Sequence, residues 1–499
     1  MNKYIVLKFG GSSQCLEGIN VILDKIREYT NSGYKIILVI SAVGKTTNNL
    51  YGIVNFVPNS FETIYLIHKQ YCESIGVNFS EIEHLLDQLK FDMLDYKYKP
   101  FGNSSQLKLK IISWGEILAS KIVHMALTKN DITNEYLNAH QFIRNRSHSD
   151  LIDHDTLNLR GEFFCDTMTL NQLIAEYDVC VTQGFVATTS DNKLCVLTRS
   201  GSNTSAALIA NAVGAERLEI FTDVSGLYSG DPRKISNTKI IPFVGYDVCL
   251  EASTAGTQLV HNQSLGPCKE KHIPIHIKNT FNPNSIGTII NGFESSTIDD
   301  VYLISIQNNI TIFKISSLDM FEEYGFMHNI FSVFNDERIV VDIVTTSLCE
   351  VTTTTNEKSS IKINRTKQRL AEKYKVELIE NCAIVSVIAN DVLQNKKIAK
   401  VQKKVNSSDI KPMHISVPSS NRLTWSYVVD ESKASELANL LHENLLVNNE
   451  ADNKTKKRAI CEVDIEENLL VNNETDNEAD NKTKKISVCE INRESYPYT

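Results

Sequence analysis

One early stretch has the makings of an anion site: Lys8-Phe9-Gly10-Gly11-Ser12-Ser13, directly after the apolar run Ile5-Val6-Leu7. Glycines let backbone N–H groups come close to an anion, and a helix starting nearby adds the positive end of its dipole. The pattern predicts a buried strand, a small hydroxyl-bearing turn and a helix from about Cys15. Lys8, at the strand's end, can reach over the same anion. This is the chemistry of a phosphate-holding turn, although not of a Walker A loop, which needs G-x-x-x-x-G-K-[ST]. A plain strand–turn–helix junction uses the same residues, so the reading depends on distant segments completing one site.

The elements that must position such a site are visible from Lys3 to about Gly292. Apolar strand-like runs at 36–41, 178–182, 218–222 and 273–277 read as strands covered on both faces. Helical patterns at 16–30, 59–75, 107–129 and 204–212 lie between them. This alternation predicts an α/β class: a three-layer sandwich around a mainly parallel sheet. Ligands in such folds gather beyond the carboxyl ends of the strands. Besides the Lys8 turn, four segments stand at such places. They are Ser41–Asn48, Ser113-Trp114-Gly115-Glu116, Gln183-Gly184-Phe185 with Thr198–Thr204, and Thr222–Arg233.

Composition narrows the class. A chain of 499 residues, 42% apolar and 22% charged, predicts two to four globular domains. A net charge of −9, with no basic stripe interleaved with aromatics, argues against nucleic-acid partners. No run reaches the roughly 18 apolar residues of a membrane helix, so no membrane association is expected. The N-terminus enters a strand by Tyr4, leaving no room for a signal peptide. Eleven scattered cysteines without CxxC spacing read as reduced thiols in the cytoplasm, not as a metal or disulfide framework. No protein metal ligand is assigned.

The segments K-F-G-G-S-S, S-A-V-G-K-T-T-N, S-W-G-E, Q-G-F, T-R-S-G-S-N-T, F-T-D-V-S-G-L-Y-S-G-D-P-R and N-T-F-N-P follow one another in the order typical of aspartokinases. Over about residues 3–447 the chain resembles that family, which shares the amino-acid kinase fold and carries C-terminal ACT regulatory modules. The resemblance implies transfer of the ATP γ-phosphate to the side-chain carboxylate of L-aspartate, with Mg²⁺, on the way to lysine, threonine and methionine. It places Lys8, Gly10, Gly11, Ser12, Thr222, Asp223, Tyr228 and Arg233 on ATP, and Thr47, Glu116, Arg199 and Ser202 on aspartate. The residue types agree: Arg199 offers a planar fork for a carboxylate, and Glu116 can accept from an ammonium group. The attacking carboxylate needs no general base, so positioning and charge neutralisation must do the catalysis.

Two catalytic positions depart from the family pattern. Asn203 stands where the family has an acidic residue, and Gln258 where it has a lysine. An anion and a cation are lost together, which leaves the local charge sum unchanged. One preorganised electrostatic group is typically worth roughly 10²–10³ in turnover. The rival reading is therefore a catalytically weakened relative that binds nucleotide or amino acid as a regulatory partner. A kinase of another acidic amino acid is a third.

After Gly292 the pattern changes to β-α-β-rich material resembling tandem ACT units. Short strands are expected at 302–305, 311–314, 339–345, 383–388, 413–416 and 422–428, with helices at 317–335 and 431–446 and a polar connection after 388. The domain reading is catalytic 1–295, ACT-like 296–375 and 376–447, and a tail 448–499. Gly325, Phe326, Met327 and Asp342 match positions of an amino-acid effector site, although the usual T-T-S-E has become Thr345-Thr346-Ser347-Leu348. ACT modules commonly pair by their sheets, so a homodimer is the default. In the tail, Glu443–Glu450 recurs as Glu467–Glu474, and too little apolar surface accompanies the second copy for a folded unit.

Overall fold

A computed structural model describes residues 3–98, 104–153, 156–159, 161–197, 200–257, 262–292, 300–321, 324–416 and 423–447. Arg199, Gln258 and the tail beyond Val447 lie outside them.

The first part opens with β1 (Lys3–Phe9), α1 (Leu16–Asn31), β2 (Tyr34–Ile40), α2 (Thr46–Val54), α3 (Ser60–Ile75), α4 (Ser80–Tyr98) and α5 (Ser104–Lys129). It continues with β3 (Glu135–Leu137), β4 (Ile143–Asn145), β5 (Phe163–Cys165), α6 (Thr167–Ile174), β6 (Val179–Gln183), β7 (Val186–Thr188) and β8 (Leu194–Val196). Then come α7 (Gly201–Val213), β9 (Arg217–Thr222), β10 (Phe243–Gly245), α8 (Tyr246–Thr254), α9 (Asn262–Glu270), β11 (Ile275–Asn279) and β12 (Thr288–Asn291). The main sheet has the order β10-β12-β11-β9-β1-β2-β6-β3 and is parallel except between β11 and β12. The central strands read as unbroken apolar runs because helices cover both faces: Ile5, Val6, Leu7 and Ile36–Ile40 are all buried. A small second sheet, β5-β4-β7-β8, stands beside it.

In the C-terminal part, β13 (Val301–Ser316), α10 (Phe326–Asp336), β14 (Val344–Thr346), β15 (Glu350–Thr355), α11 (Ser360–Ala371), β16 (Lys375–Ala389), α12 (Lys396–Ser407), β17 (His414–Ser416), β18 (Thr424–Asp430) and α13 (Glu431–His442) build one antiparallel sheet. Its order is β14-β15-β13-β16-β18-β17.

Several local expectations change here. The strands expected at 302–305 and 311–314 are one continuous β13, which shifts register between Gln307 and Ile312 where Asn309 takes a positive φ of 60°. That bend divides β13 between two cores. Phe313 and Ile315 pack with α10 and α11, while Val301 and Ile304 pack with α12 and α13. β16 is shared in the same way. The helix expected at 317–335 divides into a 3-10 turn at Leu318–Phe321 and α10 from Phe326, where Gly325 (φ 81°) stands as the cap. The strand expected at 339–345 shrinks to Val344–Thr346, and Glu350–Thr355 forms the longer strand. The polar connection after 388 contains α12, whose Ile398, Val401 and Val405 form a buried stripe among lysines. Asn395 caps it by accepting from the N–H groups of Lys397 and Ile398.

Candidate active site

The carboxyl ends of β1, β2, β6 and β9 meet at one edge of the main sheet, stitched together by their turns. Gly10 N–H donates to Phe221 O (3.0 Å), Gly44 N–H to Gly11 O (3.0 Å), and Gly184 N–H to Ile40 O (3.0 Å). The glycines are required by contact. A Cβ at Gly11 would stand 2.6 Å from Ala42 O, and one at Gly184 2.5 Å from Ser202 Cβ. Ser13 Oγ pairs with Thr280 Oγ1 at 2.6 Å, tying the first turn to the end of β11. Below the turns, Phe9 and Phe221 stack with ring centroids 4.3 Å apart.

Lys8 and Glu116 are both buried in this region. Gly115 lets α5 press against the turn after β2, since a Cβ there would stand 2.9 Å from Ala42 Cβ; this brings Glu116 under the Lys8 turn. Burial lowers the Lys8 pKa to about 8, opposed by the charge of Glu116. Burial raises that of Glu116 to about 8, opposed by the Ala42 N–H, its own N–H and Lys8. Glu116 Oε2 and Thr46 Oγ1 have no hydrogen-bond partner. Buried polar atoms are rarely left so; water, an ion or a polar ligand is the usual partner. Thr47 is half-buried on the first turn of α2, beside Thr46.

The start of α7 closes another side. Ser200 takes a left-handed φ of 59°, and Ser202, Asn203 and Thr204 are buried behind it. Asn203 Oδ1 has no partner. Ser205 Oγ accepts from Phe185 N–H (3.0 Å), locking this helix to the Gln183-Gly184-Phe185 turn.

Thr222 ends β9 next to the Gly10 turn, and its Oγ1 donates to Asp223, which is exposed. Beyond it, Asn279 Nδ2 donates to Ser225 Oγ (2.9 Å) and Leu227 N–H to Thr288 Oγ1 (2.8 Å). Tyr228 bridges to Ile240. Arg233 is exposed and held by a two-pronged contact to Asp231, at 2.9 Å each. Lys8, Gly10, Gly11, Ser12, Thr47, Glu116, Ser202 and Asn203 thus gather at the ends of β1, β2 and β6, with Thr222 and Asp223 adjoining. Tyr228 and Arg233 sit farther along the loop.

The positions expected to take an effector are spread differently. Phe326 is buried against Tyr374 (centroids 4.9 Å apart), Gly325 turns the chain, Met327 is half-buried, and Asp342 is exposed.

Asp92 escaped the reading of the sequence. Buried on α4, it accepts from Trp114 Nε1 (2.8 Å) and Lys110 Nζ (2.7 Å), fixing the turn of α5 that carries Glu116. The signal was a carboxylate in register with Ile82, Leu86, Leu89 and Tyr96, the buried positions of α4.

The amino acid kinase family model matches residues 3–279. The chain is similar to lysine-sensitive aspartokinase 3 of Escherichia coli, 26% identical over 467 residues, covering 89% of this chain and all of the relative. It is 25% identical to chloroplastic aspartokinase 1 of Arabidopsis thaliana, over 88% of this chain and 79% of that one. Among solved structures, E. coli aspartokinase III in complex with aspartate and ADP superposes with a TM-score of 0.72, at 23% identity, covering 89% of this chain and 100% of that one.

Proposed function

The chain belongs to the amino acid kinase family, and we propose that it is an aspartokinase, transferring the γ-phosphate of ATP to the side-chain carboxylate of L-aspartate to give 4-phospho-L-aspartate. The observation that carries this reading is the Lys8–Glu116 pair behind the Gly10-Gly11 turn. It sets a buried cation beside phosphate-binding N–H groups and a buried anion where a substrate ammonium can be held.

Lys8 and the N–H groups of the turn neutralise charge on the transferred phosphoryl oxygens. Glu116, with Thr47, Ser202 and Arg199, holds and orients the amino acid, so the already ionised side-chain carboxylate meets the phosphorus without a general base. Thr222, Asp223, Tyr228 and Arg233 face the rest of the nucleotide. No cluster of three metal-ligating side chains occurs among the described residues. Bound with the nucleotide phosphates, Mg²⁺ would supply further positive charge beside Lys8. Asn203 and Gln258 leave a slow enzyme instead of an inactive one, since the pocket for both substrates is kept.

Residues 1–295 form the catalytic domain and 296–447 two ACT-like units, divided near 375. Their sheet pairs two copies of the chain, and they take an amino-acid effector near Gly325–Met327 and Asp342. The protein works in the cytoplasm, where its scattered cysteines, without CxxC spacing, stay reduced.

The test is trapping of the acyl phosphate with hydroxylamine in the presence of MgATP. Aspartate-dependent hydroxamate that disappears in Lys8→Ala is the expected result. Product with another acidic amino acid but not with aspartate would overturn the substrate assignment.

A further inference from the structure

The loop from Ser225 to Ile241, between β9 and β10, is held from the C-terminal part of the chain. Ser229, in its middle, is buried. Its N–H donates to Lys239 O (2.8 Å), its Oγ accepts from Lys239 N–H (3.0 Å), and its carbonyl accepts from Ile304 N–H on β13 (2.9 Å). The fourth contact comes from His442, buried on α13, whose Nε2 lies 2.9 Å from Ser229 Oγ. Ser229 Oγ, which accepts from Lys239 N–H, can donate its proton to Nε2 or accept from Nε2–H, as the imidazole tautomer dictates.

Three residues earlier, on the same face of α13, Asn439 repeats the arrangement. Its Oδ1 accepts from Ser236 N–H (3.0 Å) and Ser236 Oγ (2.8 Å), and its Nδ2 donates to Lys234 O (3.1 Å). Between these two anchors Ile235 is buried in the same core as Leu437 and Leu441. One helix face thus grips the loop at Ser229 and at Lys234–Ser236. The stretch between the anchors includes Asp231 and Arg233, and Tyr228 adjoins the first.

We propose that His442 and Asn439 are positioning residues for the nucleotide: they hold the Ser225–Ile241 loop in its binding shape, so affinity for a nucleoside di- or triphosphate depends on where α13 sits. The inference rests on the nucleotide assignment of this loop made above. The physical reason is entropy. An exposed loop must be ordered before it can bind phosphate, and bonds supplied by α13 meet that cost in advance.

Calorimetric titration of the full chain with MgADP tests it, beside KM for aspartate. His442→Leu should weaken MgADP binding about fivefold to tenfold, the effect of one lost buried hydrogen bond. His442→Gln, whose amide can still bond to Ser229, should stay within about twofold. Asn439→Ala, at a half-buried position, should weaken MgADP about threefold to tenfold and serves alone if His442→Leu does not fold. KM for aspartate should hold within about twofold throughout, which general loosening of the fold would not spare. Folded His442→Leu and Asn439→Ala proteins with natural MgADP affinity would overturn the inference while leaving the aspartokinase reading intact. A natural chain that does not bind MgADP would overturn the nucleotide assignment, and this inference with it.

Discussion

The ammonium of Lys8 and the carboxylate of Glu116 act on each other's charge within one buried region, yet Glu116 Oε2 has no hydrogen-bond partner there. Burial drives both groups towards neutrality, and each opposes that drift in the other. On the proposed reading, an ammonium held at Glu116 and phosphates held at Lys8 would favour the charged forms of both. Poor solvation of the free site becomes affinity for ligands of opposite charge.

The pair predicts a narrow pH response. Glu116 must be ionised to hold a substrate ammonium, and Lys8 protonated to hold phosphate; both titrate near about 8. The profile of kcat/KM for aspartate should be bell-shaped with its maximum near pH 8. Glu116→Gln should lose most of the activity together with the rising limb. A natural profile flat from pH 6 to 9 would contradict the coupling.

Stability should respond to the same residue with a definite sign. With its folded pKa raised from 4.5 to about 8, the Glu116 contribution is full below about pH 4.5 and is lost as pH rises through about 8. Over that window the unfolded chain releases its proton first. Chemical unfolding between pH 5 and 8.5 should show Glu116→Gln more stable than the natural chain at the upper end, by an amount on the order of 4 kcal/mol.

Glu219 behaves in the opposite sense. Fully buried on β9, it accepts from Tyr29 Oη (2.8 and 3.0 Å) and from Arg217 Nε (2.7 Å), with Lys278 Nζ 3.3 Å away. Burial pushes its pKa up, but Lys278 and Arg217 more than cancel this and bring it down to about 2. Its contribution is present above about pH 4.5 and lost as pH falls towards 2. Glu219→Ala should cost about 3–5 kcal/mol at pH 7, by leaving two cations without their buried anion. A loss under about 1 kcal/mol in urea unfolding would sink this account.

Asn203 and Gln258 should limit rate more than binding. The double change Asn203→Asp with Gln258→Lys should raise turnover roughly 10²-fold with MgADP affinity nearly unchanged. Asn203→Asp alone should lower the melting temperature, because it puts a carboxylate into a buried position where the amide oxygen already has no partner. Unchanged turnover in the folded double variant would show that these positions do not touch the reaction.

Gly11→Ala tests the turn itself. The added methyl would stand 2.6 Å from Ala42 O, a backbone atom in the turn after β2 against which α5 is packed. Overpacking of this kind typically costs about 1–3 kcal/mol. MgADP affinity should fall at least about tenfold, and thermal unfolding should occur several degrees lower.

Much of the candidate site's backbone was legible because its turns are local in sequence. The Lys8 turn, the Gly184 turn and the start of α7 are short phrases that carry their own backbone requirements in glycines and hydroxyl residues. What escaped notice was of another kind. Asp92 acts from a helix whose apolar spacing is blurred by charged residues, and α12 looked like a polar connection because lysines surround its three buried side chains. Two expected short strands merged into β13 because a register shift can bend a strand without interrupting it.

The sequence by itself determined the class of the main sheet and the residue types gathered at its carboxyl edge. Short continuous apolar runs bounded by glycine turns fit strands buried on both faces, and turns that follow such strands lie at the edge where ligands gather. Tertiary structure alone decided that Lys8 and Glu116, 108 positions apart by their numbering, bury their charges together. It alone decided that α13 anchors a loop more than two hundred residues upstream. Such pairings depend on how helices pack across sheets. Their energy comes from desolvation and from single hydrogen bonds between distant elements, which no periodicity along the chain records.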